Sequence, residues 1–250
     1  DIPSFVVTNA TTNALVATIE VTPTYENDGV TSVGNPETFT ITVNPESQVD
    51  PVVSQVLCVG ETTDDIEFTT TNTDGTTTYT WTNDNPAIGL AAVGNGDIPS
   101  FVVENDTTNA LVATIEVTPT YTNNGFSCVG DPETFTITVN PLGQVEPVVS
   151  QEICPGDSTD AIVFTTTNTD GTTTYAWTSD NTEFGLDASG DGNIDSFTPS
   201  LVTTSQIATI VVTPTYLNDG VLCEGNPETF TITVNPGAQV EPLASQVLCV

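Results

Sequence analysis

The chain contains no lysine, arginine, histidine or methionine. Without cations it cannot neutralise phosphates, which excludes nucleic acid as a partner. An anionic membrane surface would repel it, and no run approaches the roughly 18 apolar residues of a membrane span. Catalysis through a histidine base, a lysine Schiff base or an arginine clamp is impossible. Lysine–asparagine isopeptide cross-links are excluded on the same ground, and trypsin has no cleavage site. No signal peptide is visible. The chain starts in the middle of a repeat, so a targeting signal is expected outside this stretch.

What remains is acidic, with a formal net charge of −33. Such a surface keeps long molecules soluble and apart; the sharper alternative is dependence on divalent cations. The charge does not imply disorder, because 37% of the residues are apolar and they alternate strictly with polar ones.

The sequence repeats with a period of about 96 residues, too long for a solenoid turn or a propeller blade and suited to one small domain per repeat. Asp97-Ile98-Pro99-Ser100-Phe101 copies Asp1-Ile2-Pro3-Ser4-Phe5, and the segments 132–141 and 227–236 copy 36–45. A motif Asn-Pro-x-x-Gln-Val-Asp/Glu-Pro recurs at Asn44–Pro51, Asn140–Pro147 and Asn235–Pro242. Its two prolines favour extended backbone, so it predicts a short, stiff joint and a rod-like array. The expected organisation is the C-terminal half of a repeat at 1–44, complete repeats at 51–141 and 147–236, and the first strand of a further repeat at 242–250.

Within a repeat, Phe135, Ile137 and Val139 alternate with Thr134, Thr136 and Thr138, and Leu111, Ala113, Ile115 and Val117 alternate with more polar neighbours. A period of two predicts half-buried strands. Asp74-Gly75 and Asp170-Gly171 predict hairpin turns. About seven short strands in some 90 residues read as an all-β protein of tandem Ig-like antiparallel β-sandwich domains. Tyr79 and Trp81, copied as Tyr175 and Trp177, share one strand face; they could form a sugar-stacking platform, but the flanking pattern reads them as core aromatics.

Five cysteines occupy two equivalent positions. Cys58, Cys154 and Cys249 lie in the first strand; Cys128 and Cys223 precede the last, where the first copy has Ser32. Pairing within repeats gives Cys58–Cys128 and Cys154–Cys223. Pairing across joints gives Cys128–Cys154 and Cys223–Cys249. The first scheme is preferred, because the first and last strands of a sandwich can lie close together; free buried thiols are the remaining alternative. Disulfides would imply an oxidising, extracellular setting.

Asp187, Ser189, Asp191, Asn193 and Asp195 occupy positions 1, 3, 5, 7 and 9 of a stretch with glycine at position 6. That pattern resembles the first part of a calcium loop, so calcium is the one cofactor the sequence brings up. The match lacks flanking helices and a glutamate at position 12. Asn9-Ala10-Thr11 and Asn105-Asp106-Thr107 fit the N-glycosylation sequon.

The segments Tyr79–Pro86, Ala113–Tyr121 and Cys128–Pro141, taken in order, resemble the PKD-like Ig-fold repeats of giant secreted Bacteroidota surface proteins. Such repeats occur in gliding-motility adhesins of the SprB kind and in other extracellular filaments exported by type IX secretion. The resemblance covers essentially the whole chain. It implies a β-sandwich at the cell surface with a stalk or adhesive role. Its partners would be further copies of the repeat in the same chain, other identical chains in a bundle, and a cell-surface or polysaccharide target held by another region. Three functional readings follow: a structural repeat of an adhesin, a polysaccharide-binding module repeated for avidity, and an acid-pair glycosidase. The first fits best, because an enzyme rarely needs one domain several times in a row.

Overall fold

A computed structural model of the chain describes residues 2–238, 240 and 245–247. The strand expected at 242–250, with Cys249, lies outside the described residues apart from 245–247. The fold is all-β and Ig-like; one 3-10 turn, Pro86–Ile88, is its only helical element among the described residues.

The chain divides into two compact units. Asp1–Gln55, Gly60–Glu104 and Val112–Thr138 form the first; Val56–Val59, Asn105–Leu111 and Val139–Val250 form the second. Residues 56–59 thus belong with the unit that follows the repeat in which they stand.

The second unit displays the plan. Its strands are β11 (Gln151–Ile153), β12 (Thr172–Ser179), β13 (Ser189–Asp191), β14 (Gln206–Asn218), β15 (Val221–Glu224) and β16 (Glu228–Val234). They run in the order β11-β16-β14-β12-β13, with β15 added to the far end of β14. All pairings are antiparallel except β11 with β16, which is parallel. Alternation buries Ala208, Ile210 and Val212 from β14 and Phe230, Ile232 and Val234 from β16 on one face. Ile162, Phe164, Phe184, Leu186 and Ile194 close over that face. This second layer is held by the reciprocal backbone bonds of Ile162 and Ile194 rather than by long strands. The alternate positions, mostly half-buried, are mainly threonine, whose branched β-carbon suits a wet strand face.

Equivalent strands recur upstream: β5 (Gln55–Cys58), β6 (Thr76–Asn83), β7 (Val93–Asn95), β8 (Leu111–Asn123), β9 (Phe126–Val129) and β10 (Glu133–Asn140), in the order β5-β10-β8-β6-β7 with β9 on β8. Residues 15–43 form only two pairs, β1 (Leu15–Val21) with β4 (Glu37–Val43) and β2 (Thr24–Asn27) with β3 (Val30–Val33). There the apolar face is open: Phe39 is 44% exposed, whereas its counterpart Phe135 is 3% exposed.

The hairpin turns differ from expectation. Asp74 has a positive φ of 65°, but Asp74-Gly75 does not join two paired strands. The two-residue turns are Asp28-Gly29, Asn124-Gly125 and Asp219-Gly220, with both residues at positive φ in each. Gly75 and Gly171 serve packing instead. A Cβ on Gly75 would stand 2.5 Å from Cζ of Tyr121, and one on Gly171 would stand 2.6 Å from Cζ of Tyr216.

Candidate functional site

A cluster of chemistry-bearing groups surrounds the β14–β15 hairpin of the second unit. Tyr216 and Cys223 are cross-strand partners. Tyr216 is fully buried and packs in a cluster with Cys58 and Cys223, flanked by Leu142 and Val221. Its hydroxyl donates to the Thr169 carbonyl at 2.8 Å. The joint at 140–143 lies along the same hairpin. Asn218 Nδ2 donates to Asn140 Oδ1 at 2.9 Å, and Asn140 Nδ2 donates to the Asn218 carbonyl at 3.1 Å. The Gly143 amide donates to the Cys223 carbonyl. A Cβ on Gly225 would stand 1.7 Å from the Gly143 carbonyl oxygen, so the contact tolerates no side chain there.

Cys58 and Cys223 form a disulfide with Cα atoms 5.5 Å apart, across 165 residues of sequence. This overturns the expected pairs Cys58–Cys128 and Cys154–Cys223. Cys128 and Cys154 carry no disulfide, Cys128 half-buried and Cys154 exposed. The first and last strands do lie together, as Ile153 beside Val234 shows. However, Val234 pairs with Gln206 at one end of β14, while Cys223 pairs with Tyr216 near the other. Ten residues of strand at about 3.3 Å each put the two cysteines of one repeat on the order of 30 Å apart, where a disulfide tolerates about 7 Å between Cα atoms.

The first unit reproduces the surroundings of this bond. Tyr121 is fully buried, faces Cys128 across the hairpin, and donates to the Thr73 carbonyl at 2.7 Å. Asn123 Nδ2 donates to Asn44 Oδ1 at 3.1 Å. A Cβ on Gly130 would stand 1.9 Å from the Ser47 carbonyl oxygen. Burial pushes the phenols of Tyr121 and Tyr216 above their ordinary value, helped by Asp74 and Cys128 near the first and by Asp170 and Asp219 near the second. The buried tyrosine, its carbonyl acceptor and the asparagine pair went unremarked in the sequence. The signal was present as Thr-Pro-Thr-Tyr two residues before a turn of the Asn-Gly kind.

The four predicted aromatics are placed as follows. Trp81 and Trp177 are each 7% exposed and belong to the buried core. Their indole faces are covered by Gly94 and Gly190. Tyr79 and Tyr175 are half-buried, tilted against Phe68 and Phe164 with ring centroids 5.5 and 5.4 Å away. The indole Nε1 of both tryptophans is buried without a hydrogen-bond partner among the described residues.

The calcium pattern is drawn out rather than gathered. Ser189 and Asp191 lie on β13, paired with Thr178 and Ala176. Asn193 Oδ1 accepts the Phe164 amide at 3.0 Å, as Asp97 Oδ1 accepts the Phe68 amide at 2.9 Å in the preceding repeat. Asp187 and Asp195 are exposed, and no cluster of three or more acidic or cysteine groups able to hold a metal occurs among the described residues. The sequon asparagines are engaged as well. Asn105 Nδ2 donates to the carbonyls of Asn109 and Val139, and Asn9 Nδ2 to those of Asn13 and Val43.

No family model matches the chain, and no curated protein matches it in sequence. Many solved structures are weakly similar, and three serve as examples. They are the fibronectin(III)-like modules of Clostridium thermocellum CbhA (13% identity, 80% of this chain and 99% of that one, TM-score 0.31), mouse cadherin-23 EC22-24 (15%, 90% and 75%, 0.36) and the insect immune protein hemolin (14%, 86% and 56%, 0.32). At such TM-scores they carry no functional inference.

Proposed function

We propose that the chain is a structural stalk or filament segment of a giant cell-surface adhesin or extracellular appendage used for attachment. The observation that carries this reading is the Cys58–Cys223 disulfide, which ties one repeat to the joint and hairpin of the next. Such a bond belongs to an oxidising, extracellular setting, and joining repeats serves mechanical continuity rather than turnover. The composition supports it, since a chain without histidine, lysine or arginine lacks the usual catalytic bases and clamps. The resemblance to PKD-like repeats points to a Bacteroidota surface protein exported by type IX secretion, acting in gliding motility or capture of prey and surfaces. Its target would be held elsewhere in the parent, and further copies of the repeat would be its immediate partners.

The rival reading, a polysaccharide-binding module, needs an open aromatic platform, whereas Trp81 and Trp177 are buried. A glycan array probed with the chain discriminates the two. The stalk reading expects no retained glycan, together with shortened reach and weaker attachment in cells whose parent protein has lost repeats but kept its ends. Saturable glycan binding would support the module instead.

A further inference from the structure

We infer that the Cys58–Cys223 bond is one rung of a disulfide ladder. In this ladder each first-strand cysteine bonds to the hairpin cysteine of the following repeat, and Cys128 and Cys154 are the open halves of the two neighbouring rungs. The inference concerns the covalent structure of the array and holds whether or not the array serves attachment.

Three observations carry it. First, the bonded pair is of mixed type. Cys58 is a first-strand cysteine and Cys223 a hairpin cysteine of the next repeat, so the same pairing rule moved one repeat forward uses Cys154, and moved one repeat back uses Cys128. Second, the cradle is already built around Cys128. The buried Tyr121 opposite it, the Asn123–Asn44 bond and the seating of Gly130 on Ser47 match Tyr216, Asn218–Asn140 and Gly225 on Gly143. Third, exposure follows the pairing: bonded Cys223 is 1% exposed and Cys58 8%, while Cys128 is half-buried and Cys154 exposed. The alternatives fail on geometry. Cys154 and Cys223 sit at opposite ends of their own sheet, on the order of 30 Å apart, and Cys128 and Cys154 are unbonded in the chain that contains both.

The chemistry is a thiol–disulfide exchange with a low-molecular-weight disulfide as oxidant. The Cys154 thiolate attacks that disulfide and displaces one thiol. The hairpin thiolate of the next repeat then attacks the Cys154 sulfur of the mixed disulfide and releases the second thiol. Two cysteine thiols are oxidised, one external disulfide is reduced to two thiols, and the two protons given up by the cysteines end on the two released thiols. Each rung spans more than one repeat, so consecutive rungs overlap. Pulling on the array then loads sulfur–sulfur bonds rather than the hydrogen bonds of the sheets.

The test uses two lengthened chains, refolded with oxidised and reduced glutathione, alkylated and mapped without reduction after a non-tryptic digest. In the first, a second copy of residues 156–250 follows Val250. Cys154, alkylated in the 250-residue chain, should become protected and linked to the appended copy of Cys223. In the second, residues 51–146 are duplicated in place. The original Cys58 should link to the second copy of Cys128, and the second copy of Cys58 to Cys223. Formation of the bond to Cys223 in the same digests reports that the chains have folded. With that bond present, alkylation of Cys154 in the first chain and of both Cys128 copies in the second would overturn the ladder. A Cys128–Cys154 link would overturn it too.

Discussion

Gly190 lies flat against the indole of Trp177, and a Cβ placed there would stand 2.5 Å from Cζ2 of the ring. Gly94 holds the same relation to Trp81, at 2.1 Å. Both glycines are on short strands paired beside the tryptophan strand, so neither backbone nor ring has room to retreat. Gly190→Ala should therefore cost about 1–3 kcal/mol, the range of an overpacked core with backbone displacement. Urea unfolding of the variant checks this. A midpoint unchanged from the parent would mean that the ring can swing aside.

Tyr216 should contribute through its hydroxyl as well as its ring. Tyr216→Phe keeps the packing but leaves the Thr169 carbonyl without its 2.8 Å donor, a loss of about 1–2 kcal/mol. Tyr121→Phe should behave alike through Thr73. A double-mutant comparison with Thr169 is uninformative because the acceptor is backbone. The direct check is the change in denaturant midpoint at constant slope.

Alkaline pH should unfold the protein through its tyrosines. The phenols of Tyr79, Tyr121, Tyr175 and Tyr216 are all raised, first by burial. A folded pKa above the unfolded value of about 10 means that the stabilisation is complete below about pH 10 and is lost as pH rises through the folded values. With no lysine or arginine in the chain, no side-chain cation titrates in that range. Melting temperature should hold to about pH 10 and then fall, in step with phenolate absorbance. Tyr216→Phe should soften the fall.

Reduction of Cys58–Cys223 should lower stability by about 5 kcal/mol in the chain-entropy model for so long a loop. Its mechanical signature is larger. Stretched from its ends, the oxidised chain cannot extend the 165 residues between the two cysteines. A reductant should add about 540–590 Å of contour length at 3.3–3.6 Å per residue. Single-molecule stretching with and without dithiothreitol measures this, and equal contour lengths would show that the bond is absent in solution.

Strands were legible wherever one face is buried: Ile210 and Ile232 read as core because a period of two leaves one side for apolar contact. The aromatic strand was legible for the same reason. Turn placement was not. Asp74-Gly75 and Asn124-Gly125 carry the same local signal, and only the tertiary packing of Gly75 on Tyr121 separates a packing glycine from a turn glycine. The calcium pattern rests on ligand spacing that suits a coiled loop, while pairing with β12 stretches Ser189–Asp191 into a strand, a placement that spacing alone does not encode.

The sequence by itself determined the repeat, the all-β fold, the acidic character and the absence of cationic chemistry, because composition and periodicity act locally along the chain. The disulfide partners were decided by tertiary structure alone. Spacing along the chain could not reveal that the two cysteines of a repeat sit at opposite ends of one long strand, β14, nor that residues 56–59 meet the hairpin at 216–223. Proximity of residues 165 apart is a property of the tertiary fold within the second unit, and no local pattern encodes it.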